Sequence, residues 1–147
     1  MSIERNTENT ERMLSELALE ARKMAYAPYS GFRVGAALLG ASGKVYLGCN
    51  IENAAYTPCN CAERTAIFKA VSEGEREFSK IAIVGGYEEG EQVSGYAAPC
   101  GVCRQVMMEF CNPETFKVIL ANGIEAPLEY SLKEMLPLGF GPSNLCK

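Results

Sequence analysis

Apolar residues near the start of the chain recur at helical spacing among charged neighbours. They fall on one face of a helix: Met13, Leu14, Leu17, Leu19, Ala21 and Met24. Spacing of three and four residues is typical of an amphipathic helix. The residue before a proline is disfavoured in helical geometry, so we expect the helix to end just before Pro28. The pattern predicts a helix over residues 7–27 and a turn over residues 28–31.

The apolar runs that follow are short, and most of them are bounded by glycine. Residues 32–39 and 44–48 flank the turn sequence Gly40-Ala41-Ser42-Gly43, which predicts a β-hairpin. Three further strands are predicted, over residues 81–86, 116–120 and 125–130.

Helical patterns separate these strands. Helices are predicted over residues 61–71 and 100–110, and a short helix is predicted to begin at Ser131, where Glu134 completes a capping box. The segments 49–60 and 87–98 are predicted to be irregular connections.

The order of these elements is helix, hairpin, then strands that alternate with helices. Such an order is typical of an α/β protein in which helices cover both faces of one sheet. The sequence therefore predicts a three-layer α-β-α sandwich around a central mixed sheet of about five strands. The chain has 147 residues, which predicts a single domain over residues 1–147.

Histidine is absent from the chain, which contains seven cysteines. This composition removes the commonest catalytic base and the commonest metal ligand. Acid–base or metal chemistry must therefore come from carboxylates and thiolates. The formal net charge is −4 and no run of basic residues occurs, whereas binding to nucleic acid depends on Lys and Arg at the phosphates. We expect a small, uncharged partner molecule and no nucleic acid.

The N-terminal residues are polar and lack the apolar segment of a signal peptide. No apolar run is long enough to span a bilayer, so no membrane association is expected. These features predict a cytoplasmic protein. In that reducing compartment, clustered cysteines indicate a metal or redox site rather than disulfides.

Two short cysteine motifs carry the candidate chemistry of the chain. Cys61 is followed two residues later by Glu63, and Cys100 and Cys103 form a C-x-x-C pair directly after a proline. Zinc favours thiolate ligands, and a catalytic zinc site has three protein ligands and a fourth position for water. We predict that these three cysteines bind zinc and that Glu63 is the proton shuttle for the activated water.

Both motifs fall near predicted helix starts, where free N–H groups stabilise thiolates. Three thiolates on a divalent cation leave a net negative cluster. Arg64 and Arg104 are candidates to compensate this charge, and we favour Arg64, with a hydrogen bond to a ligand sulfur.

A closed structural zinc site is the alternative explanation of the same cysteines. Cys59 would then be a fourth ligand, and the protein would be a non-catalytic zinc module. The open site instead predicts that Cys59 is a small buried residue nearby. A redox role for the C-x-x-C pair is a third interpretation, but it leaves Cys61 and Glu63 unexplained. Three other cysteines lack ligand spacing: Cys49, Cys111 and Cys146, the last of which we expect to be exposed.

Further motifs surround these cysteines. They are Tyr29-Ser30, Phe-Arg-Val-Gly-Ala-Ala over residues 32–37, Gly-Cys-Asn-Ile-Glu-Asn-Ala over residues 48–54, and Cys-Ala-Glu-Arg-Thr-Ala over residues 61–66. With the Pro-Cys-x-x-Cys motif they resemble the small, homotetrameric, zinc-dependent cytidine deaminases of pyrimidine salvage. The resemblance extends over about residues 17–140. It implies hydrolytic deamination of cytidine and 2′-deoxycytidine to uridine and 2′-deoxyuridine, with release of ammonia and one zinc ion per subunit.

The resemblance also implies roles for residues of the substrate site. Asn50 and Glu52 would hydrogen-bond the sugar, chiefly its 3′-hydroxyl, and Phe32 would form an aromatic wall against the base. The backbone N–H of Ala62 would donate to ring O2, and Phe140 would stack on the base in a neighbouring subunit. Active sites shared between subunits imply a homotetramer.

Deaminases of the same fold that act on other substrates are the remaining alternatives. The nearest is a deaminase of another cytosine nucleoside such as blasticidin S, although the Asn50–Glu52 pair and Phe140 favour the plain nucleoside. A deaminase of RNA or DNA is disfavoured by the acidic net charge. A deoxycytidylate deaminase would need cationic phosphate contacts and usually a histidine at the first ligand position, where this chain has Cys61.

Overall fold

The computed structural model describes residues 3–90 and 92–145 of the chain, and a mixed sheet of five strands forms its centre. The strands are β1 (Arg33–Gly40), β2 (Val45–Cys49), β3 (Phe78–Gly86), β4 (Lys117–Leu120) and β5 (Leu128–Ser131). Their order across the sheet is β2-β1-β3-β4-β5. Strands β3 and β4 are parallel, and the other neighbouring pairs are antiparallel. The predicted hairpin and mixed sheet are therefore confirmed.

Helices cover both faces of this sheet. They are α1 (Ile3–Arg22), α2 (Ala62–Ser72), α3 (Gly101–Phe110), α4 (Leu132–Met135) and α5 (Pro142–Leu145). Helix α1 packs on one face through Leu14 and Ala18, whereas α2 and α3 contribute Ile67 and Met107 to the core on the other face. The predicted three-layer α-β-α sandwich is confirmed. No helix within the described ranges is long and apolar enough to cross a membrane.

Successive side chains along each strand point to opposite faces of the sheet, so β1 and β3 contribute to two separate cores. In β1, Ala37 faces the core under α1, and Ala36 and Leu38 face the core under α2 and α3. The middle of β3 follows the same rule, with Ala82 on the first side and Ile83 on the second. Burial on both faces explains why these strands appear in the sequence as short continuous apolar runs.

Helix α1 ends at Arg22, and the prediction that it continues to residue 27 is wrong. The backbone of Tyr26 pairs with the loop after β2 instead: its N–H donates to Asn50 O at 2.9 Å, and its carbonyl accepts from Glu52 N at 2.8 Å. The buried Arg22 guanidinium also holds the chain here, because it donates to the carbonyls of Arg33 and Gly86 at 3.0 and 2.8 Å. These long-range bonds stop the helix well before Pro28.

The remaining elements lie close to their predicted positions. Strand β3 begins at Phe78, three residues before the predicted start, and α5 was not predicted from the sequence. The capping box is confirmed, since Glu134 N donates to Ser131 Oγ at 3.1 Å and Ser131 N donates to Glu134 Oε1 at 2.9 Å. The expectation for Cys146 lies outside the described residues.

A close approach between β2 and α2 fixes the position of the helix that carries Glu63. A Cβ atom on Gly48 would lie 2.3 Å from Ala62 O and 2.5 Å from Ala66 N. Only glycine fits at this point of β2 without moving the helix. The sheet thus sets where the first turn of α2 begins.

Candidate active site

Two helices place a cysteine at the N-cap position. Cys61 is the N-cap residue of α2 and Cys100 is that of α3, and both have extended backbone geometry. Cys103 lies in the first turn of α3, where its N–H donates to Cys100 Sγ at 3.4 Å. The free N–H groups and positive dipole end of each helix favour negative charge on these sulfurs. The starts of α2 and α3 therefore surround these sulfurs with partial positive charge.

A series of hydrogen bonds positions the loop before α2. Ile51 and Asn60 exchange two backbone hydrogen bonds of 2.9 Å each. The Asn60 side chain donates to Thr65 Oγ1 at 3.2 Å, and Thr65 N donates to Cys61 O at 3.0 Å. These bonds hold the loop that contains residues 50 and 52 against the start of α2.

The three predicted metal ligands form one cluster. The sulfur atoms of Cys61, Cys100 and Cys103 all lie within 4.8 Å of one another. The Cys61–Cys100 and Cys100–Cys103 sulfur distances are 3.7 and 3.5 Å. Two sulfurs on one tetrahedral zinc, each about 2.3 Å from the metal, would be about 3.8 Å apart. The donor set and its spacing therefore fit a zinc ion.

Cys59 does not join this cluster in the described part of the chain, contrary to the four-cysteine alternative. Its Sγ accepts the backbone N–H of Asn53 at 3.2 Å and lines a separate depression with Tyr29 and Tyr56. It is also half-buried rather than buried. Three sulfurs leave one position of a tetrahedral zinc ion open, as a catalytic site requires.

Hydrogen bonds adjust the charge of the sulfur cluster. Bonding with Cys103 is the largest cause that lowers the pKa of Cys61 to about 5, and Arg64 contributes in the same direction. Arg64 Nη2 donates to Cys61 Sγ at 3.3 Å, which is the contact expected from the sequence. Arg104 has another role, because its guanidinium donates to Pro99 O and Met135 O at 2.7 and 2.6 Å.

Glu63 lies in the first turn of α2 and is only 4% exposed. Burial raises the pKa of its carboxyl group to about 7, and the neighbouring Cys61 sulfur adds to this rise. A carboxyl group that titrates near neutral pH can both accept and release a proton under working conditions. Its position beside the sulfur cluster therefore suits a proton carrier.

A cleft of about 360 Å³ opens beside the cluster, and most of the predicted site residues line it. They are Phe32, Asn50, Glu52, Cys61, Ala62, Glu63 and Cys100. The volume falls in the range of small-molecule sites, which measure about 300–1,000 Å³. The first-turn N–H of Ala62 has no acceptor within its own helix and is available to a ligand.

The side chains of Asn50 and Glu52 are already bonded to the protein. Asn50 accepts the N–H of Val34 at 2.9 Å and donates to Phe32 O at 2.7 Å, so its amide continues the pairing at the start of β1. Glu52 Oε1 accepts the N–H of Tyr29 at 2.9 Å. Each side chain keeps part of its hydrogen-bonding capacity for a ligand.

The two predicted aromatic contacts lie in different places. The Phe32 ring lines the cleft and meets Tyr87 edge-on, with 5.0 Å between ring centroids. Phe140 does not line the cleft and is 57% exposed, and Gln105 Nε2 donates to its carbonyl at 2.8 Å. The chain's own cleft is thus formed without Phe140.

Some residues of the cleft were not identified from the sequence. Their side chains or backbones complete its wall: Ser30, Val34, Ile83, Ala97 and Ala98. The apolar members carry no chemical signal in a single sequence. Ser30 carries such a signal, since a serine hydroxyl in a turn commonly accepts the backbone N–H two residues further along the chain.

A larger depression, of about 560 Å³, lies between α1 and residues 121–127 on the other face of the sheet. Its lining includes Glu8, Glu11 and Glu125 but none of the clustered cysteines. The chemistry therefore belongs to the smaller cleft.

Known proteins are similar to this chain in sequence. The family model described as the zinc-binding region of cytidine and deoxycytidylate deaminases matches residues 8–119. A cytidine deaminase of Sporosarcina psychrophila is 47% identical over 93% of this chain and 95% of its own length. One of Halalkalibacterium halodurans is 49% identical over 91% of this chain and 96% of its own.

Solved structures are also similar to this chain. A crystal structure of cytidine deaminase from Burkholderia pseudomallei superposes with a TM-score of 0.79 at 49% identity, covering 88% of this chain and 98% of that one. One from Mycobacterium tuberculosis gives a TM-score of 0.73 at 35% identity, covering 88% and 96%.

Proposed function

Because this chain belongs to the cytidine and deoxycytidylate deaminase family, we propose that it hydrolyses cytidine and 2′-deoxycytidine to uridine and 2′-deoxyuridine and releases ammonia. One observation carries the proposal: a buried carboxyl group, that of Glu63, lies beside three clustered sulfurs and lines a cleft of nucleoside size. The reaction needs an activated water and a proton carrier. Both would be available within this cleft.

Cys61, Cys100 and Cys103 would hold one zinc ion per subunit. When bound, zinc lowers the pKa of water so that a nucleophile is available at neutral pH. The helix starts beneath Cys61 and Cys100, and the guanidinium of Arg64, would offset the negative charge of the three thiolates.

Glu63 would move the protons of the reaction. Its carboxylate would accept a proton from the attacking water and donate it to ring N3, which makes C4 more electrophilic. A second proton would pass through the same carboxyl group to the departing amino nitrogen. Burial supports this alternation, because it raises the pKa of Glu63 to about 7. A single carboxyl group then serves as base and acid without any histidine.

The cleft offers contacts for each part of a nucleoside. We assign the base to the Phe32 ring and the Ala62 N–H, and the sugar 3′-hydroxyl to Asn50 and Glu52. All four residues line the cleft that contains Glu63, which supports this assignment.

Phe140 would act in a neighbouring subunit of a homotetramer. Its ring is more than half exposed and lies outside its own cleft, and the bond from Gln105 holds its backbone in place. Large apolar side chains are also exposed around the loop after β2, among them Tyr26, Ile51 and Tyr56. Where exposed apolar side chains form one patch, that patch commonly marks a subunit interface.

We place the enzyme in the cytoplasm and in pyrimidine salvage. None of the six cysteines in the described part of the chain is in a disulfide, and a reducing compartment keeps cysteines unpaired. Salvage is the process in which nucleosides, rather than polynucleotides, are the substrates.

The proposal is tested by incubating purified protein with cytidine, 2′-deoxycytidine, free cytosine and blasticidin S. The loss of cytosine absorbance is followed, and zinc is measured in the same samples. We expect turnover of both nucleosides but not of free cytosine, with about one zinc per chain. Zinc-loaded protein that is inactive on all but blasticidin S would reassign the substrate, and inactivity on all four would contradict a deaminase.

A further inference from the structure

Ser30 lies in the turn before β1 and contacts two residues of the candidate site. Its hydroxyl donates to Glu52 Oε2 and accepts the backbone N–H of Phe32 at 3.0 Å. Its own N–H donates to Glu52 Oε1 at 3.1 Å. One hydroxyl therefore joins the carboxylate of the loop after β2 to the start of β1. All three residues line the same cleft.

These bonds fill most of the acceptor capacity of Glu52. An ionised carboxylate has about four lone-pair sites, two on each oxygen. Oε1 accepts the N–H groups of Tyr29 and Ser30 at 2.9 and 3.1 Å, so both of its sites are used. Oε2 accepts the Ser30 hydroxyl and keeps one site for a ligand. The Ser30 hydroxyl is also the largest cause that holds the pKa of Glu52 below its usual range, so the group remains an acceptor at neutral pH.

We propose that Ser30 is a positioning residue that directs the last free acceptor site of Glu52 to a single sugar hydroxyl of the nucleoside. This inference rests on the proposed function and deepens it, because it names what sets recognition of the sugar. Without the Ser30 hydroxyl, Oε2 would have two open acceptor sites. The carboxylate would then be held only through the two backbone N–H groups that donate to Oε1. The loss would fall on binding of the sugar rather than on the chemistry at C4.

Another serine of the chain offers a matched control. Ser42, in the turn between β1 and β2, donates to Glu75 Oε1 and accepts the N–H of Lys44 at 3.3 Å. This is the same arrangement, a hydroxyl between a glutamate carboxylate and the N–H two residues further on. Ser42 lies at the opposite end of β1 and is not among the residues that line the cleft. Its replacement by alanine removes similar bonds without changing the site.

The test uses two substrates that differ only in the 3′-hydroxyl, 2′-deoxycytidine and 2′,3′-dideoxycytidine. Values of kcat and KM are measured for the wild type and for S30A, S30T and S42A, with zinc content and Tm recorded. For S30A we expect kcat/KM on deoxycytidine to fall about tenfold or more, mainly through KM, because a hydrogen bond to a charged group is lost. The value on dideoxycytidine should change little. S30T keeps the hydroxyl and should restore the discrimination, and S42A should leave both values unchanged.

Equal losses on the two substrates, or no loss in S30A, would overturn this role for Ser30. If S30A does not fold, S30C is judged by the same ratio, since a thiol of similar size donates only weakly. Wild-type protein that turns over no cytosine nucleoside would overturn the proposed function and this inference with it. Wild-type turnover with an unchanged ratio in the variants would overturn only the inference.

Discussion

Arg64 Nη2 lies 3.3 Å from Cys61 Sγ and donates a hydrogen bond to it. The two residues are three positions apart across the N-terminus of α2, so the helix itself brings the guanidinium over the sulfur at its N-cap. The contact places a permanent positive charge beside the cluster. In this cluster the negative charge of three thiolates would exceed the positive charge of one zinc ion.

We predict that R64Q lowers zinc affinity about 10- to 100-fold, because groups that hydrogen-bond a metal ligand commonly contribute this much. Affinity is measured by competition with a chromogenic chelator. R12Q is the control, since Arg12 forms an exposed ion pair with Glu16 on α1 and does not line the cleft. R64Q protein that retains zinc as well as R12Q does would contradict the role assigned to Arg64.

Phe140 provides a test of shared active sites. We predict that F140A lowers kcat/KM for cytidine by about tenfold or more, because stacking of a base on an aromatic ring is worth about 1–3 kcal/mol. The ring is exposed and lies outside its own cleft, so the folded subunit should be little affected.

Complementation separates a neighbour's contribution from a local one. F140A and E63Q subunits are mixed and allowed to exchange, and activity is measured at low cytidine concentration. A mixed tetramer would contain sites with Glu63 from one chain and Phe140 from another, so activity should exceed the sum of the separate samples. Unmixed samples carried through the same exchange are the control. Strictly additive activity would show that Phe140 does not complete a neighbouring site.

The capping box of α4 predicts a pH-dependent contribution to stability. Hydrogen bonds from Ser131 hold the pKa of Glu134 below its usual range, with the backbone N–H as the largest cause. A depressed pKa in the folded state stabilises the protein above the unfolded-state value of about 4.3, and this contribution is lost as the pH falls through the folded-state value.

We therefore expect E134A to destabilise the protein more at pH 7 than at pH 4 or below, as measured by urea unfolding. In the S131A background, which removes the hydroxyl, the dependence on pH should be smaller. If the difference in unfolding free energy between wild type and E134A grows as the pH falls, Glu134 does not stabilise the protein through its ionised form.

Local patterns in the sequence predict most of the fold. The turn between β1 and β2, the capping box at Ser131 and the N-terminal ends of α2 and α3 all depend on residues near one another in the chain. The end of α1 could not be predicted in this way, because it depends on pairing of Tyr26 with the loop after β2. Pro28 is a local signal for a helix end, but the distant contact ends the helix at an earlier residue.

The candidate site follows a similar division. Cys61 and Glu63, with the C-x-x-C pair, have side chains whose chemistry is recognisable from spacing, and the structure brings all of them to one cleft or its edge. Ser30 bonds the carboxylate of Glu52, which is 22 residues away along the chain. Gln105 bonds the backbone carbonyl of Phe140, which is 35 residues away. Such roles depend on tertiary contacts: the Tyr29-Ser30 motif supports the family resemblance but does not indicate the hydrogen bond from Ser30 to Glu52.

Glu63 would carry the protons of the proposed reaction, and E63Q removes this capacity while keeping the shape of the side chain. Zinc content and cytidine turnover are measured on the same wild-type and variant preparations, with E73Q at the exposed end of α2 as the matched control. We predict that E63Q keeps the zinc content of the wild type but loses about 10²- to 10⁴-fold in kcat, because glutamine cannot carry the proton. E73Q should remain active. A zinc-loaded E63Q protein that turns over cytidine at the wild-type rate would contradict the proton-carrying role of Glu63.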